Sequence, residues 1–255
     1  MPASLAEAAL GLAFGGLAPE EVLALREATQ WRHFPAQDPA RFRGLLSVPD
    51  LDAFLATDAA RAPRVSMADG GRQGSAGLPE EEFCLPDGRV DPLRLLARFD
   101  AGATLVVSQF QDMHAPLAGF CRGLERLFLH PVQANVYLTP PGAQGFRLHY
   151  DTHDVLVLQV QGRKDWRIWD TQRVPSPTRR TPWTREMPVP GEPHALTLRP
   201  GDALYLPRGV PHEAKGQSDG ASLHLTIGFL DPCWAEALRL LLDRLEAEDP
   251  SLRAA

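Results

Sequence analysis

The fold of this chain is decided by one stretch, residues 145–169, which reads GFRLHYDTHDVLVLQVQGRKDWRIW. Residues 155–161 and 164–170 are rich in β-forming side chains, and the Gly-Arg pair between them is typical of a tight hairpin turn. Because alternate residues of a strand face the same side, His149 and Asp151 are expected to point in one direction. The stretch predicts a β-rich fold in which one face of a strand carries two side chains of the kinds that bind metals.

A third side chain of the same kind follows in the segment LYLPRGVPHEA, where His212 lies 61 residues beyond Asp151. Two imidazoles and one carboxylate on one face of an octahedron leave three positions free, as in the non-haem Fe(II) oxygenases. A His-x-Asp triplet with a distant histidine also arises by chance or serves structural hydrogen bonds. The pattern taken alone leaves both interpretations open and favours an oxygenase.

Lys164 opens the second strand of the hairpin. If this strand faces inward at Lys164, Trp166 and Ile168, the ammonium lies in an apolar cavity and requires an anion. The alternative is a solvated lysine in a surface turn beside Arg163 and Asp165. His224 on a later strand is expected to be an ordinary interior histidine, and a cofactor-lining role is the less favoured alternative.

At residues 134–170, ANVYLTPPGAQGFRLHYDTHDVLVLQVQGRKDWRIWD, the chain resembles the JmjC-type, cupin-like 2-oxoglutarate oxygenases, and among them the ribosomal oxygenases that hydroxylate protein side chains. Three further segments resemble the same family in the same order: FRGLLSVPDLDAFL at 42–55, GATLVVSQF at 102–110 and VQANVYLTPPG at 132–142. The resemblance extends over residues 10–245. Its central motif is too long to be a coincidence.

This resemblance implies a role for six residues. The family's iron ligands fall on His149, Asp151 and His212, its lysine for the distal carboxylate of 2-oxoglutarate falls on Lys164, and its tyrosine and asparagine beside the co-substrate fall on Tyr137 and Asn135. Tyr137 and Asn135 share strand parity, so both are expected to point inward. A phenol and an ammonium together satisfy the far end of a diacid.

The function implied by the resemblance is an Fe(II)- and 2-oxoglutarate-dependent dioxygenase, a hydroxylase that oxidises a C–H bond of a protein or peptide side chain and releases succinate and CO2. A ribosomal protein is one such substrate. The alternatives are a hydroxylase of a small metabolite or peptide natural product, and a non-catalytic cupin-like protein that binds a metal or an anion. Lysine demethylation uses the same chemistry, and no local feature of the sequence selects it.

The predicted fold is mainly β with flanking helices, a double-stranded β-helix of the jelly-roll, cupin and JmjC type. We expect an N-terminal helical and mixed segment at 1–102, the barrel core at 103–231 and a C-terminal helix at 232–255, all in one structural domain. Eight strands are predicted, at 133–138, 148–151, 155–161, 164–170, 195–199, 203–206, 211–214 and 222–229. Helices are predicted at 5–14, 20–32, 50–57 (capped by Asp50), 92–99 (capped by Asp91), 115–129 and 234–248, and residues 67–79 are predicted to be the segment most prone to disorder.

Composition limits the remaining classes of function. The chain has 255 residues, a net charge of -6 and no extended basic block, so a nucleic-acid partner has no support. Three widely spaced cysteines favour a reducing compartment. No secretory signal and no long apolar run are recognised, so we expect a cytoplasmic protein without a membrane partner. Ribosomal oxygenases continue into a dimerising region and a winged-helix module, which this sequence is expected to lack, and the oligomeric state stays open.

Overall fold

The computed structural model describes residues 4–73, 75–170, 175–178, 180–181 and 191–253. Within these ranges two antiparallel sheets carry ten strands. The strands are β1 (Arg32–Phe34), β2 (Val65–Ala68), β3 (Thr104–Val107), β4 (Val132–Thr139), β5 (Asp154–Gln161), β6 (Lys164–Ile168), β7 (His194–Leu198), β8 (Ala203–Leu206), β9 (His212–Gly216) and β10 (Ser222–Phe229). The helices are α1 (Leu5–Phe14), α2 (Pro19–Glu27), α3 (Val48–Leu55), α4 (Pro92–Asp100), α5 (Ala115–Phe128) and α6 (Trp234–Glu248).

The larger sheet has seven strands in the order β1-β8-β5-β10-β4-β3-β2, and the smaller has three in the order β7-β6-β9. The two sheets belong to a double-stranded β-helix, as predicted. Strands β1 and β2 lie before residue 103, and both join the larger sheet rather than a separate layer. The division of the chain at residues 102 and 231 stays a prediction.

Strand β5 is buried on both of its faces. Leu156, Leu158 and Val160 belong to the main core, while Val155 and Val157 belong to a second core that also contains Trp166 and Ile168 of β6. This two-sided burial explains why residues 155–158 are all apolar, because a strand with one solvated face would alternate with polar residues. The second core lies between the two sheets and supports the walls of the candidate site.

The turn between β5 and β6 requires its glycine. Gly162 has a φ of 67°, and a Cβ placed there would lie 2.1 Å from the backbone oxygen of Ala221. Both the left-handed conformation and the close approach exclude an ordinary side chain. The hairpin that places Lys164 at the start of β6 therefore depends on this position.

Two of the predicted helices have wrong boundaries. The helix predicted at 20–32 ends at Glu27, Thr29 adopts a left-handed φ of 52°, and β1 then pairs with β8. The helix predicted at 50–57 begins at Val48 because Ser47, not Asp50, is its N-cap, and Asp50 returns the hydrogen bond of a capping box. Helix propensity alone favours a helix that continues to residue 32, but the pairing of β1 with β8 places the last of these residues in a strand.

The predicted strand at 148–151 is also absent, because the backbone there makes only one isolated bridge, between His149 and His212. The segment 67–79 is not uniformly loop-like, since Met67 is fully buried and belongs with Ala68 to β2. Residue 74 lies outside the described residues. Pairing of β2 with β3 supplies hydrogen bonds that the composition of the segment does not reveal.

Helix α6 has the predicted bounds, but its leucines are exposed, with Leu238 and Leu241 both more than half accessible. Among the residues described, no single helix has the length and apolarity needed to cross a membrane, and only α1 and α2 taken together, bent by 53°, pass that test.

Candidate active site

The two predicted histidine ligands face each other across the isolated bridge. The N–H of His149 donates to the carbonyl oxygen of His212 at 3.1 Å, and the N–H of His212 donates to that of His149 at 2.8 Å. Residues that exchange both backbone hydrogen bonds in this way are held directly opposite each other. Their rings have centroids 4.5 Å apart. The pairing brings together two side chains that are 63 positions apart in the sequence (212 − 149).

Each imidazole is oriented by a backbone carbonyl two residues before it. Nδ1 of His149 lies 2.7 Å from the oxygen of Arg147, and Nδ1 of His212 lies 3.0 Å from the oxygen of Val210. A carbonyl oxygen only accepts, so Nδ1 carries the proton in both rings. The lone pair is therefore on Nε2, the atom that each histidine offers to a metal.

Asp151 completes the donor set. Its Oδ2 lies 3.7 Å from Nε2 of His212, and the ligand atoms of His149, Asp151 and His212 all lie within 4.8 Å of one another. Cis ligands of a first-row metal at about 2.1 Å are separated by about 3 Å, so small side-chain adjustments suffice to bind one ion. Two imidazole nitrogens and one carboxylate oxygen fit a non-haem Fe(II) centre with open positions.

Burial prepares His212 for metal binding. Desolvation, assisted by the neighbouring His149 and opposed by Asp151, lowers the pKa of His212 to about 4. The ring is therefore neutral at physiological pH, the state that a metal ligand requires.

Lys164 lines the same cavity and is buried, so its side chain is an interior group and not a solvated one. Its side chain is 4% exposed, and its Nζ donates to Oγ1 of Thr139 at 2.9 Å, while Thr139 in turn bonds Oγ1 of Thr104 at 3.2 Å. Within the described part of the chain no carboxylate pairs with the ammonium. Burial lowers the pKa of Lys164 to about 7. A buried ammonium without an anionic partner destabilises the fold, and an anion that enters the cavity would offset this cost.

Tyr137 lies on the wall between the lysine and the metal donors. Its ring stacks on His224, with centroids 4.8 Å apart and planes 4° from parallel. Burial, and then the charge of Asp151, raise the pKa of Tyr137 well above its usual value, so the phenol keeps its proton. A neutral phenol is able to donate to an anionic ligand.

The structure does not bring Asn135 to the cavity wall. Its Oδ1 accepts the backbone N–H of Gln109 at 2.9 Å, and its side chain also bonds the phenol of Tyr137. Asn135 therefore holds Tyr137 and the left-handed residue Gln109 in place. Its contact with a co-substrate stays a prediction.

The cavity lies between the two sheets and contains about 540 Å3 of space free of protein atoms, including its opening to solvent. Lys164 is buried, whereas His149 and Asp151 are only half-buried. A ligand that spans the cavity would therefore contact Lys164 deep inside and lie beside His149 and Asp151 nearer the opening. The walls are completed by Thr104, Gly145, Phe146, Val155, Val157, Trp166, Ala214, His224 and Thr226.

Sequence reasoning identified some of these wall residues and missed others. Trp166 was expected to face inward with Lys164, and the alternation of β6 is the signal that identifies it. His224 was expected to be an interior histidine, with a cofactor-lining role as the less favoured alternative, and it lies on the cavity wall. Thr104 and Thr139 carried no local signal, because they reach Lys164 only through the pairing of β3, β4 and the smaller sheet.

A double-stranded β-helix with a His-Asp-His donor set is the architecture of the cupin-like metal-dependent oxygenases. A family model described as the JmjC domain matches residues 107–237, about half of the chain, and the chain belongs to this family.

Two curated relatives indicate the branch of the family. The chain is 37% identical over 164 residues to the bifunctional lysine-specific demethylase and histidyl-hydroxylase NO66 of Dictyostelium discoideum, which covers 62% of this chain and 32% of that protein. It is 34% identical over 218 residues to ribosomal oxygenase 1 of Homo sapiens, covering 81% of this chain and 32% of the relative. The chain thus spans about a third of the length of these two relatives.

Solved structures agree on the fold. The X-ray structure of E. coli ycfD matches with a TM-score of 0.62 and 19% identity, over 91% of this chain and 58% of that one. The structure of the same ribosomal oxygenase in complex with cobalt and 2-oxoglutarate matches with a TM-score of 0.59 and 19% identity, over 91% and 56%. At this identity the match supports the shared architecture alone.

Proposed function

We propose that this protein is an Fe(II)- and 2-oxoglutarate-dependent oxygenase that hydroxylates a C–H bond of a protein or peptide side chain and releases succinate and CO2. The observation that carries the proposal is the buried, carboxylate-free ammonium of Lys164 in the same cavity as the His149, Asp151 and His212 donor set. A site that only stores a metal has no need of such a cation. A co-substrate with one carboxylate for the metal and another for the lysine accounts for both.

In this proposal His149, Asp151 and His212 hold the iron, and Lys164 with Tyr137 receives the distal carboxylate. Bound iron and 2-oxoglutarate supply the oxidising chemistry with dioxygen. The chain contributes position: the carbonyls of Arg147 and Val210 fix both imidazoles, and Thr139 fixes the ammonium. The apolar walls exclude water, which strengthens every electrostatic contact inside.

Support for the substrate class comes from the relatives. Those proteins are named as a histidyl-hydroxylase and a ribosomal oxygenase, and the E. coli oxygenase has been solved with cobalt and 2-oxoglutarate and with cobalt and succinic acid. We therefore propose a protein substrate, with a ribosomal protein as the first to test. The half-buried positions of His149 and Asp151 are consistent with a side chain that enters from outside.

The test is succinate release with Fe(II), 2-oxoglutarate and oxygen, in the presence of cell extract fractionated by size. We expect release that a macromolecular fraction stimulates. His149→Ala and Asp151→Ala should abolish it, while His130→Ala, a histidine outside the cavity, should retain it. Undiminished succinate production by either ligand variant refutes the metal assignment. Stimulation by the small-molecule fraction alone would identify a metabolite hydroxylase, and metal binding without turnover would identify a non-catalytic protein.

A further inference from the structure

Two buried polar atoms on the cavity wall have no hydrogen-bond partner within the residues described. They are Nε1 of Trp166 and Nδ1 of His224, and both side chains are at most 5% exposed. Burying such groups unpaired costs free energy, so native proteins rarely do so without a reason. Both residues line the cavity that contains Lys164. The missing partner is therefore expected to come from the ligand.

The ring of His224 is held rigidly. It lies on β10 directly opposite Tyr137 of β4, stacks on the Tyr137 ring at 4.8 Å, and meets the Trp166 ring edge-on at 6.0 Å. These contacts pack the imidazole between two aromatic side chains. Nδ1 is thus fixed in orientation before any ligand binds, which reduces the entropic cost of making a hydrogen bond.

His224 belongs to the lysine end of the cavity. Burial lowers its pKa well below the usual value, and the charge of Lys164 lowers it further. The ring is therefore neutral, with one N–H donor and one lone pair. A second cation beside Lys164 would be unfavourable, whereas a neutral donor adds a contact for an anion without adding charge repulsion.

A carboxylate has two oxygens that together accept about four hydrogen bonds. One N–H donor of Lys164 already bonds Thr139, and the phenol of Tyr137 can supply one O–H donor to the carboxylate. The distal carboxylate of a diacid thus retains acceptor capacity that the previously assigned residues do not fill.

We propose that His224 is a positioning residue that donates a hydrogen bond from Nδ1 to the distal carboxylate of 2-oxoglutarate, and so helps to select a diacid over a 2-oxo monoacid. This inference rests on the proposed function, because it takes 2-oxoglutarate as the co-substrate. It adds a residue outside the metal donors and the lysine, and it assigns the contact to one nitrogen of the ring.

The test measures equilibrium binding to the Mn(II)-loaded protein without oxygen, so that no turnover occurs. Two probes are compared: 2-oxoglutarate, and 2-oxopentanoate, which lacks the distal carboxylate. His224→Phe keeps a ring that stacks on Tyr137 and removes both nitrogens. We expect the Kd for 2-oxoglutarate to rise about tenfold or more, as for a lost hydrogen bond to a charged group, with the Kd for 2-oxopentanoate unchanged.

A packing role predicts a different pattern, in which His224→Phe weakens both probes by the same factor. That result, or no change for either probe, overturns the proposal. Mn(II) affinity and near-UV circular dichroism of the variant show whether the site is intact.

A second pair of variants keeps the proposal testable if the phenylalanine variant fails to fold. The amide nitrogen of asparagine occupies nearly the position of Nδ1, whereas that of glutamine occupies nearly the position of Nε2. His224→Asn should preserve most of the discrimination between the two probes, and His224→Gln should lose it. The reverse pattern overturns the assignment to Nδ1. If the unaltered protein binds no 2-oxoglutarate at all, the proposed function fails; if it binds normally and the variants lose no discrimination, only the present inference fails.

Discussion

The buried ammonium of Lys164 makes the binding of 2-oxoglutarate dependent on pH. In the free protein burial lowers the pKa of Lys164 to about 7, because the described residues provide no anion to offset the lost hydration. A bound carboxylate restores the charged form and returns the pKa toward its usual value of about 10.4. The complex therefore takes up a proton that the free protein has lost above pH 7.

The magnitude follows from linkage between the two equilibria. Only the charged form receives the diacid, and its population falls about tenfold for each pH unit above the free pKa. With a free pKa of about 7, the apparent Kd at pH 9 should be about 50 times that at pH 7. The metal donors add little in this window, since His212 is already neutral below it.

Isothermal titration calorimetry on the Mn(II)-loaded protein, without oxygen, measures both quantities. Experiments at pH 9 in buffers of different ionisation heat should show uptake of about one proton for each 2-oxoglutarate bound. Lys164→Arg is the matched control, since a guanidinium stays charged and should give a Kd that hardly changes from pH 7 to pH 9. A flat Kd with no proton uptake in the unaltered protein would refute the reasoning, because it would mean that Lys164 is already charged or does not receive the ligand.

Three further predictions concern stability. Lys164→Met should raise the free energy of unfolding of the ligand-free protein at pH 7 by up to about 4 kcal/mol, because the pKa of Lys164 is lower in the native state than in the unfolded state. For the same reason the unaltered protein should gain stability from pH 7 to pH 10.5, and calorimetry across that range should find no such gain in the variant. Gly162→Ala should lower the melting temperature far more than Gly191→Ala. Both glycines have a positive φ, but only at Gly162 would the new Cβ lie against a backbone carbonyl. Equal shifts in melting temperature would show that the positive φ alone accounts for the loss of stability. Arg26→Met should cost about 3 kcal/mol or more in urea unfolding, because it removes a guanidinium that is only 12% exposed from its ion pairs with Asp154 and Asp231. Arg244→Met on the exposed face of α6 should cost less than about 1 kcal/mol, and similar costs for the two variants would contradict the importance of burial.

The local sequence was sufficient to predict the hairpin, and it gave a buried Lys164 as one of two alternatives. Apolar residues occupy both faces of β5 because both faces are covered, and the alternation of β6 predicted that Lys164, Trp166 and Ile168 lie on one side of the strand. Asp91 was correctly identified as the N-cap of α4, because its side chain accepts from the N–H groups of Leu93 and Arg94. These are short-range interactions that neighbouring residues determine.

Other features required the tertiary structure. The strand predicted around His149 is a single bridge, and β1 replaces the end of a predicted helix, because partners distant in sequence decide strand pairing. The polar neighbours of Lys164 were invisible for the same reason, since Thr139 and Thr104 meet it only after β3, β4 and β6 assemble.

The sequence by itself determined which chemical groups this protein has available: two imidazoles, a carboxylate and a lysine. Only the tertiary structure decided that His149 and His212 face each other with Nε2 free, and that Asn135 supports Tyr137 instead of lining the cavity. It also decided that His224 lies on the cavity wall with a buried nitrogen that has no partner among the described residues. The physical reason is that residue type and parity are local properties, whereas hydrogen-bond partners and burial depend on which distant segments the two sheets bring into contact.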